Sequence, residues 1–157
     1  KAVKEEQAKW DEVLRLDGTE NAYLLHKELG EVMTKNVTVV RYNDGLKETL
    51  VKLQELKERW NNININDTSK WSNQGVQFTR QLRNMIALAN VITKGALLRD
   101  ESRGAHYKPE FPERNDEKFL KTTIAEFTPS FDPKISYEDV DISLIKPRKR
   151  DYTKGAH

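Results

Sequence analysis

Residues 73–102 read NQGVQFTRQLRNMIALANVITKGALLRDES, and this stretch decides the fold class. Its apolar residues recur every three or four positions, which is the spacing of residues on one face of an α-helix. They form two stripes, Val76, Leu82, Ile86, Ala89 and Ala96 in the first and Phe78, Met85, Leu88, Val91 and Leu98 in the second. A helix with two apolar stripes is covered on two sides. We therefore expect a long helix that lies at the centre of a bundle or packs on a partner.

The segments before residue 73 predict three more helices. Residues 46–60 have the clearest amphipathic pattern, formed by Leu46, Leu50, Leu53, Leu56 and Trp60. An earlier stripe consists of Ala22, Leu25, Leu29, Val32 and Met33. Residues 1–16 are rich in the helix-favouring Ala, Glu, Gln and Lys. The sequence thus predicts an all-α fold, a three-helix bundle of the spectrin-repeat type preceded by a short helix.

Short polar or β-branched segments separate these helices. Residues 17–19, Asp-Gly-Thr, interrupt the pattern after the first helix, and either Thr19 or Asn21 can cap the second by accepting backbone N–H bonds. The β-branched residues within 37–40 predict either a last irregular turn of that helix or a short extended piece. Residues 43–45, Asn-Asp-Gly, predict a turn and a cap before the next helix.

The character of the chain changes after Gly104, which we expect to follow the C-terminus of the long helix. Prolines at 109, 112, 129 and 133 prevent another long helix. The segment 105–157 is also too poor in apolar residues to build a core of its own. We therefore expect a helical bundle over residues 1–104 and an extended arm over 105–157, which packs on the bundle or on domains outside this chain.

A small β-hairpin is expected within the arm. Residues 122–128 favour a strand, and Val140, Ile142 and Leu144 alternate with polar residues as a second strand would. Residues 130–134 would form the turn between them.

Composition excludes several classes of function. The 157 residues include 27 Lys and Arg against 25 Asp and Glu, a net charge of +2, which argues against nucleic acid as a partner. No cysteine is present, which excludes disulfides and thiolate metal sites. No apolar run approaches the roughly 18 residues of a membrane span, so no direct membrane insertion is expected. The chain starts at Lys1 rather than Met, and we expect a processed or excised piece of a longer protein.

The motifs of cofactor and metal sites are also missing from the sequence. The seven glycines form neither G-x-G-x-x-G nor a Walker A loop. His26, His106 and His157 lie far apart without metal-ligand spacing. The sequence therefore predicts no catalytic, cofactor-binding or metal-binding residue in this chain.

Charged residues crowd the expected end of the long helix. Arg99, Glu101, Ser102, Arg103 and His106 lie within eight positions. Arginine near a helix C-terminus complements the helix dipole and can hold a carboxylate in bidentate geometry. The cluster is either a well-capped helix end or a place where another surface docks.

A basic cluster near the C-terminus has three interpretations. It consists of Lys146, Arg148, Lys149 and Arg150. The first interpretation is a solvated tail, and the second is a contact to an acidic partner surface. A nucleic-acid contact is the least favoured, because the overall charge of the chain is balanced.

Two motifs around the charged cluster resemble a known family. Residues 101–106, ESRGAH, followed by 111–117, FPERNDE, resemble the C-terminal region of the flavoprotein subunits of succinate dehydrogenase and fumarate reductase. Residues 17–21, DGTEN, 36–41, NVTVVR, and 147–152, PRKRDY, fit the same family, so the resemblance covers nearly the whole chain. Related L-aspartate oxidases share ESRG-like turns, whereas the FPERNDE stretch and the long arm favour succinate dehydrogenase.

This sequence departs from the family at two positions. Many relatives carry Trp and His where this chain has Phe119 and Thr122. Contacts that those larger side chains make elsewhere in the family are therefore expected to differ here.

The resemblance implies an activity that resides outside this chain. Family members carry covalently attached FAD, oxidise succinate to fumarate, and pass electrons to an iron–sulfur subunit and then to quinone through a membrane anchor. Their catalytic motifs lie in FAD and capping domains that precede this region, and none of those motifs occurs here. The resemblance therefore implies a structural C-terminal helical domain without cofactor of its own, in a protein peripheral to the cytoplasmic face of the bacterial membrane.

The implied partners are the FAD and capping domains of the parent chain and the iron–sulfur subunit. Seven residues are expected at the interface: Arg99, Glu101, Ser102, Arg103, His106, Glu113 and Arg114. The alternatives are the corresponding domain of an L-aspartate oxidase and a free-standing helical module that binds another helical protein.

Overall fold

The computed structural model describes residues 1–148. Lys149 and Arg150 of the basic cluster, His157, and most of the 147–152 motif lie outside the described residues. Four helices of substantial length form a bundle: α1 (Ala2–Leu14), α2 (Ala22–Asn36), α3 (Asn43–Trp60) and α4 (Gln74–Leu98). No helix in this part of the chain combines the length and the apolar character needed to cross a bilayer.

Asparagine side chains begin two of the helices. Of the two predicted caps of α2, Thr19 and Asn21, the structure shows Asn21, whose Oδ1 accepts a hydrogen bond from the backbone N–H of Tyr23 at 2.9 Å. Asn73 caps α4 through the N–H of Val76 at 3.0 Å. The prediction of a separate turn and cap at 43–45 was wrong, since these residues are the first turn of α3.

A residue of the arm caps the first turn of α3 instead. The N–H of Asn43 donates to the carboxylate of Glu110, with N···O distances of 3.0 and 3.2 Å. A carboxylate at a helix N-terminus satisfies an otherwise unpaired N–H and complements the helix dipole. The arm therefore supplies a cap that the local sequence lacks.

Of the two alternatives for α4, the structure supports the central helix of the bundle, because four residues of its first stripe, Val76, Leu82, Ile86 and Ala89, lie in the main buried cluster. The Nε1–H of Trp60, at the end of α3, donates to the carbonyl oxygen of Thr79 in α4 at 2.8 Å. The main buried cluster comprises Val13, Ala22, Leu25, Leu29, Leu53, Leu56, Trp60, Ile63, Val76, Leu82, Ile86 and Ala89. The second stripe remains largely uncovered in this chain, with Leu88 62% exposed.

The helix α4 is shorter than the sequence predicted. It ends at Leu98, and Arg99 leaves the helical conformation with φ −99° and ψ 88°. Gly104 is therefore not the residue after the helix. It has φ +58° in a turn closed by paired backbone hydrogen bonds between Arg103 and His106. Residues 99–103 instead form an irregular segment that faces the arm.

The arm contains a one-turn helix and a hairpin. They are α5 (Asp116–Phe119), β1 (Lys121–Glu126) and β2 (Lys134–Asp139), with the strands antiparallel. The first strand and the turn were predicted approximately, but a strand at 140–144 was wrong. Asp139 pairs with Lys121, the first residue of β1, and the residues before it form α5. Residues after 139 therefore have no partner strand in this hairpin.

Candidate functional site

The candidate site lies where the end of α4 meets the arm, and its centre is the Glu101 carboxylate. Glu101 is fully buried, and its oxygens accept hydrogen bonds from Arg99 Nη1 at 2.6 Å and Arg103 Nε at 2.8 Å. The backbone N–H of Asn115 donates to it at 2.9 Å. Burial alone would raise the pKa of Glu101, but the bonds from Arg103, Asn115 and Arg99 outweigh it and lower the pKa. The carboxylate therefore stays ionised and serves as an anchor.

Arg99 connects the end of α4 to the hairpin. Its Nη1 donates to the carbonyl oxygen of Phe119 at 2.9 Å, and its Nη2 donates to the carbonyl oxygen of Lys121 at 2.7 Å. The guanidinium also lies 5.4 Å from the ring centre of Phe119 and 5.7 Å from that of Tyr137. The two rings meet edge to face at 5.8 Å. Phe119, where many relatives carry Trp, is thus buried against an aromatic and a cationic neighbour.

Asp116 extends the network from the buried carboxylate towards the surface. Its two oxygens accept hydrogen bonds from Arg103 Nη2 at 2.6 Å and Arg114 Nη2 at 2.7 Å. The hydrogen bond from Arg103 is the main reason that the pKa of Asp116 is lowered. Arg114 also donates from Nη1 to the carbonyl oxygen of Arg148 at 2.9 Å. The arm is therefore tied to itself and to the bundle by a continuous series of ion pairs.

His106 is held in one neutral tautomer. Its Nε2 lies 2.9 Å from the carbonyl oxygen of Arg99, which can only accept, so Nε2 carries the hydrogen. Its Nδ1 then accepts from Arg41 Nη1 at 2.6 Å. Burial lowers the pKa of His106, and the positive charge of Arg41 lowers it further, although the bond to the Arg99 carbonyl opposes this.

Arg41 joins this site to the end of α2. Its Nε donates to the carbonyl oxygen of Thr38 at 2.7 Å, and its backbone N–H donates to the carbonyl oxygen of Tyr107 at 2.9 Å. Val40 forms an isolated β-bridge with Tyr107. Of the two predictions for residues 37–40, an irregular helical turn or a short extended piece, the extended piece is therefore confirmed at Val40.

Ser102 and Lys108 pin the arm over the last turn of α4. Ser102 Oγ donates to the carbonyl oxygen of Phe111 at 2.8 Å and accepts from the N–H of Lys108 at 2.9 Å. Lys108 is fully buried, and its Nζ donates to the carbonyl oxygen of Leu97 and to Asp100, both at 2.9 Å. The exposed Glu113 accepts at its backbone oxygen from the N–H of Ser102 at 3.2 Å.

The structure thus brings all seven expected interface residues to one region. The contacts described for them there are made with other residues of this chain. Their role as contacts to other domains stays a prediction. Sequence reasoning missed Arg41 and Lys108. Both stand in or beside segments that carried the resemblance, Arg41 at the end of 36–41 and Lys108 two residues after 101–106. For Arg41 the available signal was a charged residue inside a matched motif, whereas Lys108 lies just outside one.

The described residues do not fit FAD. A dinucleotide cradle needs a glycine-rich turn between a parallel strand and a helix, whereas the sheet in residues 1–148 is a two-stranded antiparallel hairpin. The central carboxylate of the site, Glu101, is buried and paired with Arg99 and Arg103, so it is not placed to exchange a proton with a bound ligand. Within the same residues, no group of three His, Asp or Glu side chains is arranged to hold a metal ion. The arrangement is suited to holding the arm in place.

The family model described as fumarate reductase flavoprotein C-term matches residues 26–152. The chain belongs to this family. It is the C-terminal domain of a flavoprotein subunit of the succinate dehydrogenase and fumarate reductase type.

Individual members of the flavoprotein family match almost the full chain. The succinate dehydrogenase flavoprotein subunit of Bacillus subtilis is 63% identical over 153 residues, covering 97% of this chain and 26% of its own length. The fumarate reductase flavoprotein subunit of Helicobacter pylori is 38% identical, with 97% and 22% covered. A mutant FrdA chain of E. coli quinol fumarate reductase superposes with a TM-score of 0.88 at 32% identity, covering 94% of this chain and 26% of that one. The chain spans about a quarter of the length of these relatives.

Proposed function

We propose that this chain is the C-terminal helical domain of a succinate dehydrogenase whose full polypeptide carries FAD and oxidises succinate to fumarate. The 63% identity to a succinate dehydrogenase flavoprotein, against 38% to a fumarate reductase flavoprotein, supports this assignment. The FAD, the substrate site and the catalytic residues belong to the part of the polypeptide outside this chain. The domain alone is inactive and holds no cofactor.

The proposed role of the domain is structural, and one observation carries it. The fully buried Glu101, fixed by Arg99 and Arg103, holds the arm against the bundle by accepting the backbone N–H of Asn115, and Arg103 also pairs with Asp116 of the arm. Breaking such a pair leaves an uncompensated buried charge, which costs roughly 3–5 kcal/mol. The arm is therefore a rigid element of the domain. We propose that α2, α3 and α4 act as a spectrin-repeat-like brace to which it is fixed.

The partners of this brace are the FAD and capping domains of the same polypeptide and the iron–sulfur subunit. The residues proposed for these contacts are Arg99, Glu101, Ser102, Arg103, His106, Glu113 and Arg114. The buried Glu101 and the partly buried members of this set position the arm, and Glu113 lies at its surface. Through the iron–sulfur subunit the flavoprotein is held at the cytoplasmic face of the bacterial membrane, without a span of its own in this domain.

The test is Arg103→Ala in the full-length flavoprotein, expressed with its partner subunits. We expect less covalently bound flavin per polypeptide and lower recovery of the assembled complex, because the variant removes hydrogen bonds to Glu101 and Asp116. Arg15→Ala, at an exposed residue after α1, is the matched control. An intact, fully active complex from Arg103→Ala would overturn the structural role. Oxidation of aspartate in place of succinate by the full polypeptide would overturn the assignment.

A further inference from the structure

A cavity of about 630 Å³ lies between α1, the end of α3, the middle of α4 and the loop that joins β1 to β2, residues 127–133. We call it the α1 cavity. Its volume falls within the roughly 300–1,000 Å³ of pockets that hold small molecules. Its lining includes none of the residues described above for the network around Glu101. The α1 cavity is therefore a second region of the domain, separate from the attachment of the arm.

Apolar side chains from four parts of the chain line the α1 cavity. Val13, Trp60 and Ile86 form the buried part of the lining. Phe127, which is 84% exposed, and the exposed Pro129 add apolar surface from the hairpin loop. Pockets for small molecules are lined mainly by apolar and aromatic side chains, with a few charged or polar groups that orient the ligand. The lining therefore suits a ligand with an apolar body.

Positive charge is in excess around the α1 cavity. The charged members of the lining are Lys9, Lys57, Arg80, Arg83, Glu6 and Glu12. Glu6 pairs with Lys9 at 2.7 Å and with Arg80 at 2.5 Å, and Glu12 pairs with Arg83 at 3.3 Å. Both carboxylates are thus already paired, and the lining carries a net charge of +2. A cleft lined by an excess of one charge concentrates ligands of the opposite sign.

Lys57 is the cation that a ligand would meet without a competing carboxylate. It is partly buried, and in the described part of the chain its ammonium forms no ion pair but lies 4.7 Å from the ring centre of Phe131. Burying a charge is costly unless a counter-charge accompanies it, and a bound anion would supply one. Arg83 lies 4.9 Å from the ring centre of Trp60, and its exposed pair with Glu12 contributes little free energy. Arg83 can therefore also turn towards a bound anion.

We propose that the α1 cavity binds a small aromatic carboxylate, with its acidic group at Lys57 and its ring among the side chains of the hairpin loop. The unpaired ammonium matches one acidic group, and the rings of Phe127 and Phe131 match an aromatic body. An inorganic anion would leave this apolar part of the lining unused. A ligand held there contacts α1, α3 and the hairpin loop together. It therefore tightens the attachment of α1, whose buried residue is Val13.

The test is photolabelling of the full-length flavoprotein with 4-benzoylbenzoate, an aromatic carboxylate whose benzophenone group forms covalent links on irradiation. Labelled peptides are identified and quantified by mass spectrometry over a series of probe concentrations. We expect saturable labelling of peptides that contain residues of the cavity lining, such as 57–61 and 127–131. Uncharged benzophenone, which lacks the acidic group, should label the same peptides about tenfold less at equal concentration.

Variants of Lys57 separate the contribution of its charge from that of the local fold. Lys57→Gln should raise the probe concentration at half-saturation about tenfold or more, because a hydrogen bond to a charged group is lost. Lys57→Arg retains the charge and should label much as the wild type does. Lys47→Gln is the matched control, since Lys47 is an exposed cation of the same helix that pairs with Asp44 at 3.3 Å and does not line the cavity. It should leave the half-saturation unchanged.

Three results would overturn the proposal. The first is an equal half-saturation for the wild type and Lys57→Gln, and the second is a loss of labelling in Lys57→Arg as large as in Lys57→Gln, since in both cases the charge does not bind the probe. The third is equal labelling by benzophenone and 4-benzoylbenzoate, which would indicate a purely apolar site. Labelling is measured on peptides of this domain and needs no turnover of succinate. It therefore fails or succeeds independently of the proposed function.

Discussion

Arg41 and His106 form a hydrogen bond of 2.6 Å that joins the end of α2 to the arm, although 65 positions separate them in the sequence. The bond exists only while Nδ1 of His106 is unprotonated, because Nε2 is already committed to the carbonyl oxygen of Arg99. Protonation would set two positive charges against each other. The attachment of the arm is therefore sensitive to pH.

The first prediction is a loss of stability on mild acidification. The pKa of His106 is lowered in the folded chain, so the unfolded chain binds the proton more readily and folding stability falls as the pH drops below about 6.5. Urea midpoints measured between pH 7.5 and 5.5 should decrease, and in His106→Gln, which cannot take up a proton, the decrease should be smaller. An equal decrease in both proteins would contradict the prediction.

The second prediction concerns the buried carboxylate. Glu101→Gln keeps the shape of the side chain but leaves Arg99 and Arg103 without their shared negative partner. The free energy of unfolding should fall by roughly 3 kcal/mol, as when one partner of a buried ion pair is removed. Glu117→Gln, at an exposed residue of α5, should change it by less than about 0.5 kcal/mol. Similar values for the two variants would show that the Glu101 network does not stabilise the fold.

The third prediction is that alanine substitution at two glycines changes the stability of the chain in opposite directions. A Cβ at Gly18 would lie 1.9 Å from the carbonyl oxygen of Asn62, whereas at Gly30, inside α2, it would meet nothing within 4 Å. Gly18→Ala should destabilise the chain by roughly 3 kcal/mol because backbone must move. Gly30→Ala should stabilise it by about 0.5–1 kcal/mol through helix propensity. Thermal unfolding of both variants checks the signs.

A fourth prediction concerns the contribution of Glu28 to the loss of stability in acid. Hydrogen bonds from Arg59 and then Lys52 lower the pKa of Glu28 to about 2. A lowered carboxyl pKa gives stability that is present above the ordinary value of about 4.5 and is lost as the pH falls towards 2. Glu28→Gln should therefore reduce the stability at neutral pH and flatten the decrease between pH 4.5 and 2. Glu48→Gln, at an exposed residue of α3, should keep the wild-type profile.

The parts of the fold that follow from helical spacing were predictable. The stripe from Leu46 to Trp60 and the stripe from Val76 to Ala96 predicted which faces are buried, because burial repeats with the period of the helix. The end of α4 was not predictable, since it is decided by Arg99 and Glu101 finding partners in the arm. A local signal such as Gly104 cannot report contacts made across the fold.

The strand expected at 140–144 failed for a related reason. Alternation of Val140, Ile142 and Leu144 describes a strand only if another strand lies beside it, and pairing in this hairpin ends at Asp139. The site residues around 101–106 were found through the crowding of charged residues at the end of the helix and through the ESRGAH motif. Arg41 and Lys108 act at a distance in sequence from their partners, and spacing alone contains no information about such pairs.

The enclosure of Lys108 makes it a built-in reporter of arm detachment. Its amine is fully shielded between the carbonyl oxygen of Leu97 and Asp100. Acylating reagents modify lysines that solvent can reach, so this amine reacts only when the segment after His106 lifts from the bundle. The labelling kinetics of a single lysine thus measure how often the arm opens, without any engineered probe.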